Sequence, residues 1–156
     1  MQIVVDGEVF TSEVTTLMVT EFYLEHDGVY FPHYKWTDFT DELIGMWTYK
    51  LFKYRDRKNV SFILYFMDGP YWLDVYKDAN MRLEIKCVHN GLHNRSVEFE
   101  FQCEYADFLK AIYEATKSLN YLLYKYDLHK GKYEPTFNQT IRTINELKAV
   151  IQSCLR

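Results

Sequence analysis

Two histidines and a cysteine lie close enough in the sequence to suggest a divalent metal site. His89 and His93 flank residues 90–92, which we expect to form a hairpin loop, and Cys87 precedes His89 by two positions. Imidazole and thiolate are common zinc ligands. Strand alternation, however, directs Cys87 towards the core and His89 towards the loop, and no second cysteine or acidic ligand is nearby in the sequence. We therefore favour a polar loop and expect no bound metal or cofactor.

A second possible source of chemistry is nucleophilic or acid–base catalysis. The three cysteines, Cys87, Cys103 and Cys154, fall on predicted apolar faces, which is typical of small core residues rather than of reactive thiols. Glu98 and Glu100 occupy alternate positions of one predicted strand and face water. The sequence contains no glycine-rich phosphate loop and no HExxH or GxSxG pattern. These features favour a protein without catalytic activity and leave an enzyme as the alternative.

Carboxylates are concentrated in the first 42 residues, where nine acidic residues accompany one basic residue, for a net charge of −8. An acidic surface disfavours nucleic acid and attracts a basic protein. The alternative is that these carboxylates are only the solvated faces of strands and of a helix start. The chain also has fourteen tyrosines, a residue type that gathers at the edges of cores and at interfaces. We select five carboxylates as candidate partner-binding residues: Glu21, Glu25, Asp27, Asp38 and Asp41.

The elements that position these residues centre on an antiparallel meander between Val60 and Cys103. Four runs rich in β-branched and aromatic residues are separated by the turn-forming sequences DGP, DAN and HNGLHN. The first run is apolar on both faces, so we expect it in the centre of the sheet. The last two runs alternate between apolar and polar residues, which predicts one buried and one solvated face.

Side-chain parity predicts the register of the meander. Leu73 can share the core face with Leu83 only if the connection through residues 78–80 has odd length or contains a bulge. In the last hairpin, a turn centred on Leu92 predicts two cross-strand pairs: Cys87 with Val97, and Cys103 with Met81. The two cysteines would then not be cross-strand neighbours.

The N-terminal third is predicted to form two hairpins and one helix. Asp6-Gly7 lies between QIVV and EVFT and predicts a two-residue hairpin, because a type I′ turn needs positive φ at both positions. An alternating run from Val14 to Leu24 leads to a second turn at residues 26–28. Thr37 is the predicted N-cap of the helix. Five basic residues gather at the C-terminal end of this helix: Lys50, Lys53, Arg55, Arg57 and Lys58. They either complement the helix dipole or bind an acidic partner or phosphate.

Two further helices are predicted after Cys103. The apolar period changes to that of a helix from about Tyr105 to His129, with Gly131 as the residue that ends it. Residues 136–139 match a capping box that opens the final helix. The predicted buried stripe of this helix is Ile141, Ile144, Leu147, Ile151 and Leu155.

Together these elements predict an α+β fold in a single domain, residues 1–156. We expect an antiparallel meander sheet of about six to eight strands including the N-terminal hairpins, one helix inserted before the meander, and a C-terminal antiparallel helix pair packed on one sheet face. No apolar run approaches the roughly 20 residues of a membrane span. The odd cysteine count and the start MQIVVDGEVF, which lacks a basic and apolar leader, predict a soluble cytoplasmic protein.

Residues 31–76 carry a family resemblance. The pattern FPxxxWxDF, a helix bearing Trp47 and the later turn FMDGPY resemble elements of small, mostly uncharacterised bacterial cytoplasmic proteins, some of which are similar to immunity proteins of polymorphic toxin systems. The resemblance implies a protein that binds and neutralises a toxin domain. The residues that carry the resemblance are aromatic anchors and a rigid turn: Pro32, Trp36, Phe39, Trp47, Phe66, Gly69 and Pro70. No functional residue can therefore be carried over from it.

Three functional hypotheses follow. The first is a non-catalytic protein-binding module, most concretely an immunity protein that blocks a basic toxin domain with an acidic, tyrosine-bearing surface. The second is a small-ligand-binding domain or enzyme with a pocket between the sheet and the helices. The third is a self-associating protein, since an edge strand at QIVV makes a weak homodimer possible beside a monomer.

Overall fold

The computed structural model describes residues 1–154, and in it two antiparallel sheets enclose a shared apolar core with the helices. The first sheet contains β1 (Gln2–Thr11), β2 (Met18–His26), β3 (Val29–Phe31) and β4 (Thr37–Asp38). The second sheet contains β5 (Val60–Tyr65), β6 (Tyr71–Lys77), β7 (Arg82–Asn90) and β8 (Arg95–Glu104). The helices are α1 (Thr40–Tyr54), α2 (Tyr105–Lys125) and α3 (Glu134–Cys154), with a short 3-10 helix at Gly131–Tyr133. The α+β class is confirmed, but the strands form two sheets rather than one.

The first sheet contains a bulge where the sequence predicts a hairpin. Asp6-Gly7 does not reverse the chain, because β1 continues through it and pairs with β2 on both sides. The register shifts between Asp6, which pairs with Glu21, and Phe10, which pairs with Val19. Gly7 has a φ of 83°, so the positive φ indicated by the sequence is present but serves a bulge. The predicted turn after β2 is confirmed, with a φ of 50° at Asp27 and 79° at Gly28.

The meander of the second sheet is confirmed, with strand order β5-β6-β7-β8. Lys77 pairs with Leu83, so residues 78–82 form the odd connection that parity predicts, and Leu73 shares the buried face with Leu83. The predicted register of the last hairpin is wrong. A shift after Cys87 pairs it with Phe99 rather than Val97, and Cys103 pairs with Leu83. This bulge leaves Val97 exposed.

The central position predicted for β5 is also wrong, because β5 is an edge strand of its sheet. Helix α1 covers this edge. Trp47 Nε1 donates to the carbonyl oxygen of Tyr65 at 2.8 Å, and Lys50 Nζ donates to that of Ile63 at 2.8 Å. Side chains of α1 therefore occupy acceptors that a further strand would use, which separates the meander from the N-terminal strands.

The start of α1 differs from the prediction. Thr37 is not the N-cap, because Thr37 and Asp38 form β4 and the helix begins at Thr40 after Phe39. At the other end of α1, the fully buried Lys77 donates from Nζ to the carbonyl oxygen of Arg55 at 2.8 Å. A cation suits the negative end of a helix dipole, although burial lowers the pKa of this ammonium.

Helix α2 begins directly after β8 and packs against β1, α1 and α3. It ends at Lys125 rather than His129, because Asp127 has a φ of 57° and Leu128 donates its amide to the carbonyl oxygen of Leu123 at 2.7 Å. This is a Schellman ending, so Asp127 takes the role that the sequence assigned to Gly131.

Helix α3 begins at Glu134, so the predicted capping box at residues 136–139 lies within the helix and does not open it. It runs antiparallel to α2, and Asn120 Nδ2 donates to Thr140 Oγ1 at 2.7 Å. Its buried residues are Thr140, Thr143 and Leu147, whereas the predicted stripe residue Ile141 is 40% exposed and Leu155 lies outside the described residues. The helix pair forms as predicted, but α3 packs on α2 and α1 rather than on a sheet.

Replacing Trp47 by Phe removes the indole donor from the edge of β5 and keeps most of the apolar contact. We expect the free energy of unfolding in urea to fall by about 1–2 kcal/mol, since the partly buried carbonyl oxygen of Tyr65 loses its donor. Tyr49→Phe is the matched control, because Tyr49 is on the same helix and 66% exposed. Equal stability of the Trp47→Phe variant and the wild type would contradict the proposed role of this side chain.

Candidate functional site

Carboxylates and tyrosines gather on the outer face of the first sheet. Glu21, Tyr23 and Glu25 alternate along β2, so they share one face, while the intervening Phe22 and Leu24 are buried in the core. Across the strands, Asp6 of β1 pairs with Glu21, and Tyr30 of β3 pairs with Glu25. Tyr34 joins this group from the segment between β3 and β4. We call the set the tyrosine face: Asp6, Glu21, Tyr23, Glu25, Tyr30 and Tyr34.

The three tyrosines form one aromatic cluster. The ring centroids of Tyr23 and Tyr30 are 5.9 Å apart, those of Tyr23 and Tyr34 5.8 Å, and those of Tyr30 and Tyr34 5.1 Å. Tyr23 is 6% exposed and forms the base, whereas Tyr30 is 41% and Tyr34 56% exposed. The cluster therefore presents two rigid aromatic rings to solvent, and aromatic rings of this kind supply much of the contact energy of protein interfaces.

The electrostatics of the tyrosine face favour a positively charged ligand. Burial raises the pKa of Tyr23, and the neighbouring Tyr34 and Glu21 raise it further, so its hydroxyl stays protonated and neutral. Lys35 already lies over the Tyr34 ring, with Nζ 5.7 Å from the centroid. The rings and the adjacent carboxylates can thus stabilise lysine or arginine side chains of a partner.

Of the five selected carboxylates, Glu21 and Glu25 lie on the tyrosine face and Asp27 lies beside it. Glu25 is held by Gln2 Nε2 and by the amide of Gly28 at 3.4 Å. Asp27 is exposed in the turn after β2, and its carboxylate is 3.5 Å from His26 Nε2. Glu21 and Glu25 are partly exposed and Asp27 is exposed, so all three carboxylates reach the surface.

Asp38 is placed differently, because only 1% of it is exposed. Its carboxylate accepts hydrogen bonds from the amide of Phe39 at 2.7 Å and from Trp36 Nε1 at 3.3 Å. It also accepts from the amides of Met67 at 3.1 Å and Asp68 at 3.2 Å, in the turn between β5 and β6. Asp38 thus joins the two sheets internally, and we leave it out of the candidate surface.

Asp41 lies in the first turn of α1 and lines a cleft of about 320 Å³ between α1 and α3. Its Oδ1 is buried and has no hydrogen-bond partner within the described residues. Burial raises the pKa of this carboxyl to about 6, and the adjacent Glu42 raises it as well. Asp41 is therefore part of a separate cleft, not of the tyrosine face.

The histidine and cysteine residues do not converge. His89 stacks on Tyr71 with ring centroids 4.7 Å apart, while the Cys87 side chain is fully buried. Burial raises the pKa of the Cys87 thiol and raises that of Cys103 to about 12. No cluster of three His, Cys, Asp or Glu side chains that could hold a metal ion occurs in residues 1–154.

A cleft of about 750 Å³ lies between Met1, the end of β2, β8 and α2. His26 lines it, but the imidazole stacks on Phe101 at 4.3 Å and its Nδ1 is buried. Two carboxylates of this cleft are already paired with bases, Asp107 with Lys110 at 2.9 Å and Glu104 with Arg82 at 3.6 Å.

No family model, no curated protein and no solved structure matches this chain. Within residues 1–154, every helix is too short or too polar to cross a membrane. Sequence reasoning selected Glu21 and Glu25 but not the tyrosines between and beside them. The alternation along β2 could have identified Tyr23, whereas Tyr30 and Tyr34 join it only through cross-strand packing.

Asp38→Ala removes the acceptor shared by both sheets. We expect this variant to lose about 2–4 kcal/mol of unfolding free energy, because buried amide and indole donors lose their partner. Asp27→Ala, at an exposed position, should change stability by less than about 0.5 kcal/mol. Urea denaturation measures both, and similar small effects for the two variants would contradict the buried role of Asp38.

The raised pKa of Asp41 predicts a pH-dependent stability. The folded state binds the carboxyl proton of Asp41 more tightly than the unfolded state does. Its contribution to the free energy of unfolding is therefore fully present below about pH 4 and is lost as pH rises through about 6. Asp41→Asn should therefore be about 1–2 kcal/mol more stable than wild type at pH 7 and nearly equal to it at pH 4. Thermal unfolding across this range tests the effect, and a variant less stable at pH 7 would contradict it.

Proposed function

We propose that this chain is a non-catalytic protein-binding module that binds and neutralises a basic toxin domain, like the immunity proteins that residues 31–76 resemble. The observation that supports the choice of surface is the tyrosine face, where three carboxylates surround an aromatic cluster whose outer rings are exposed. A face of this composition suits lysine and arginine side chains better than phosphate groups.

The carboxylates and the tyrosines have different roles in this proposal. Asp6, Glu21 and Glu25 attract a basic partner from a distance and accelerate association at low salt. Tyr30 and Tyr34 supply apolar contact and cation–π interactions once the partner has docked. If the partner is a nuclease, these carboxylates compete with the phosphates of its substrate for the same basic residues.

The residues in 31–76 that carry the resemblance bear on what class of protein this is, but they do not identify its binding surface. Trp36 donates to Asp38, Trp47 and Phe66 lie in the core, and Gly69 has a φ of 74° in the turn before β6. All four positions serve the fold. The resemblance and the tyrosine face are therefore independent reasons for the proposal.

The setting of the proposal is the bacterial cytoplasm, with a protein partner rather than nucleic acid and with the chain as a monomer or weak homodimer. An immunity protein of this kind protects the cell that makes the toxin. Self-association through the edge strand β1 would place a second copy beside the tyrosine face, because β1 carries Asp6.

A small-ligand domain or enzyme remains the second candidate, and the cleft of about 750 Å³ beside α2 favours it. Its walls come from a sheet and a helix, as that hypothesis expects. Its ion pairs, however, already satisfy Asp107 and Glu104, which leaves fewer free polar groups to orient a ligand.

Neutralisation of a toxin encoded beside this chain's gene tests the proposed function. Each neighbouring gene product is expressed alone and together with this protein, and growth is measured. We expect one product to arrest growth and the wild-type protein to restore it. The double variant Glu21→Lys with Glu25→Lys should bind the toxin about 100-fold more weakly, because two attractive charges become repulsive.

Glu84→Lys with Glu100→Lys is the matched control, since it makes the same change in net charge on exposed positions of the second sheet. This variant should restore growth as the wild type does. The absence of any toxic neighbour, or equal neutralisation by both double variants, would overturn the proposal.

A further inference from the structure

The outer face of the first sheet continues past the tyrosine face into an apolar region. Val19 precedes Glu21 by two positions on β2, so the two residues lie on the same face of the strand. The register of β1 places Phe10 directly opposite Val19. Phe10 is 57% exposed and Val19 is partly exposed. One face of β2 therefore presents carboxylates and tyrosines at one end and apolar side chains at the other.

The bulge in β1 determines which residue lies opposite Val19. Asp6 pairs with Glu21, so uninterrupted pairing would bring Glu8 opposite Val19. The register shift between Asp6 and Phe10 puts the phenyl ring there instead. The bulge thus replaces a carboxylate with an aromatic ring at this end of the face.

The loop between β1 and β2 adds Val14 and Leu17, which are 94% and 38% exposed. Hydrogen bonds nevertheless fix the backbone of residues 12–17. The Ser12 hydroxyl accepts from the amides of Val14 at 3.1 Å and Thr15 at 3.0 Å, and the Ser12 amide donates to the carbonyl oxygen of Leu17 at 3.3 Å. An apolar side chain on a fixed loop loses little conformational entropy on binding. We call these residues the apolar patch: Phe10, Val14, Leu17 and Val19.

Two residues from the connection between α2 and α3 anchor this loop. Lys132 Nζ donates to the carbonyl oxygens of Ser12 at 2.5 Å, Glu13 at 3.3 Å and Thr15 at 3.4 Å. The Tyr133 hydroxyl donates to the carbonyl oxygen of Ser12 at 3.1 Å, and Tyr133 itself is 4% exposed. A buried ring and an ammonium therefore hold the loop against the rest of the fold.

The charges around the apolar patch have one sign. Residues 1–34 contain no lysine or arginine, and Glu8 and Glu13, close to Phe10 in the sequence, are both exposed. The ammonium of Lys132 is occupied by the loop carbonyls. Exposed apolar side chains with a polar rim are typical of interaction sites, and an acidic rim is complementary to a basic partner.

We propose that the apolar patch contacts an apolar pocket, rimmed by lysine or arginine residues, on the same basic toxin domain that meets the tyrosine face. This inference rests on the proposed function and adds to it the chemistry of the partner surface. One partner covers both regions because they share a face of β2 and the same sign of charge. The carboxylates accelerate association, and the apolar contact slows dissociation. Lys132 and Tyr133 are positioning residues for this contact.

The test measures association and dissociation rates of the full chain with a basic toxin domain whose growth arrest it is found to relieve. Phe10→Ser with Val14→Ser should dissociate about tenfold faster and associate nearly as fast as wild type, because it removes apolar contact and no charge. Glu21→Lys with Glu25→Lys should instead slow association, with an effect that shrinks as salt is added. Leu92→Ser is the matched control and should bind as wild type does, since Leu92 is 99% exposed in the loop between β7 and β8.

Val14→Ser alone keeps the test decisive if the double serine variant folds poorly, because Val14 is 94% exposed. It should dissociate about threefold faster than wild type. Wild-type dissociation rates in both serine variants, with slower association in the double lysine variant, would overturn this inference and leave the proposed function standing. Failure of every neighbouring gene product to bind the chain would overturn both.

The anchoring of the loop is tested on the free chain. Lys132→Met should speed amide exchange of residues 14–17 at least about fivefold and should also speed dissociation of the complex, because the loop loses its ammonium donor. Lys130→Met is the matched control, since the Lys130 ammonium is 3.6 Å from the Asp127 carboxylate, and should change neither rate. Unchanged exchange in the Lys132→Met variant would overturn the positioning role of Lys132.

Discussion

A buried carboxylate links the two sheets, and much of the remaining geometry follows from it. Asp38 accepts hydrogen bonds from Phe39 at the start of α1 and from Met67 and Asp68 in the turn of the other sheet. Removing a carboxylate from water costs several kcal/mol unless donors satisfy its oxygens. The end of β4, the entry to α1 and the β5–β6 turn are therefore held together, which aligns the inner faces of the two sheets around one core.

In this arrangement the helices pack against the strands and against one another. Helix α1 packs on β2 and β5, α2 packs on β1, and α3 covers the other two helices. The outer side of the first sheet consequently remains exposed at Tyr30 and Tyr34. Carboxylates that the sequence groups by position are thus separated by the fold: Glu21 and Glu25 face outwards, whereas Asp41 faces the helices.

Local sequence patterns predict the strands, turns and helices, whereas contacts between residues far apart in the sequence determine where each of them lies in the fold. The meander and its odd connection follow from alternation within each strand, which needs no knowledge of the partner. Asp6-Gly7 requires positive φ both in a hairpin and in a bulge, so only the pairing with β2 distinguishes them. The apolar β5 resembles a central strand because Trp47 covers its edge. Asp38 looks like a helix-start carboxylate until the amides of a turn about thirty residues away reach it.

The central claim is that the tyrosine face is the surface that meets a basic protein. Amide hydrogen exchange of this chain, free and mixed with a basic toxin domain whose growth arrest it is found to relieve, tests the claim most directly. We expect slower exchange in the complex for residues 21–25 and 30–34, with little change in the strands of the second sheet. Protection confined to α2 and α3 or to the second sheet would contradict it.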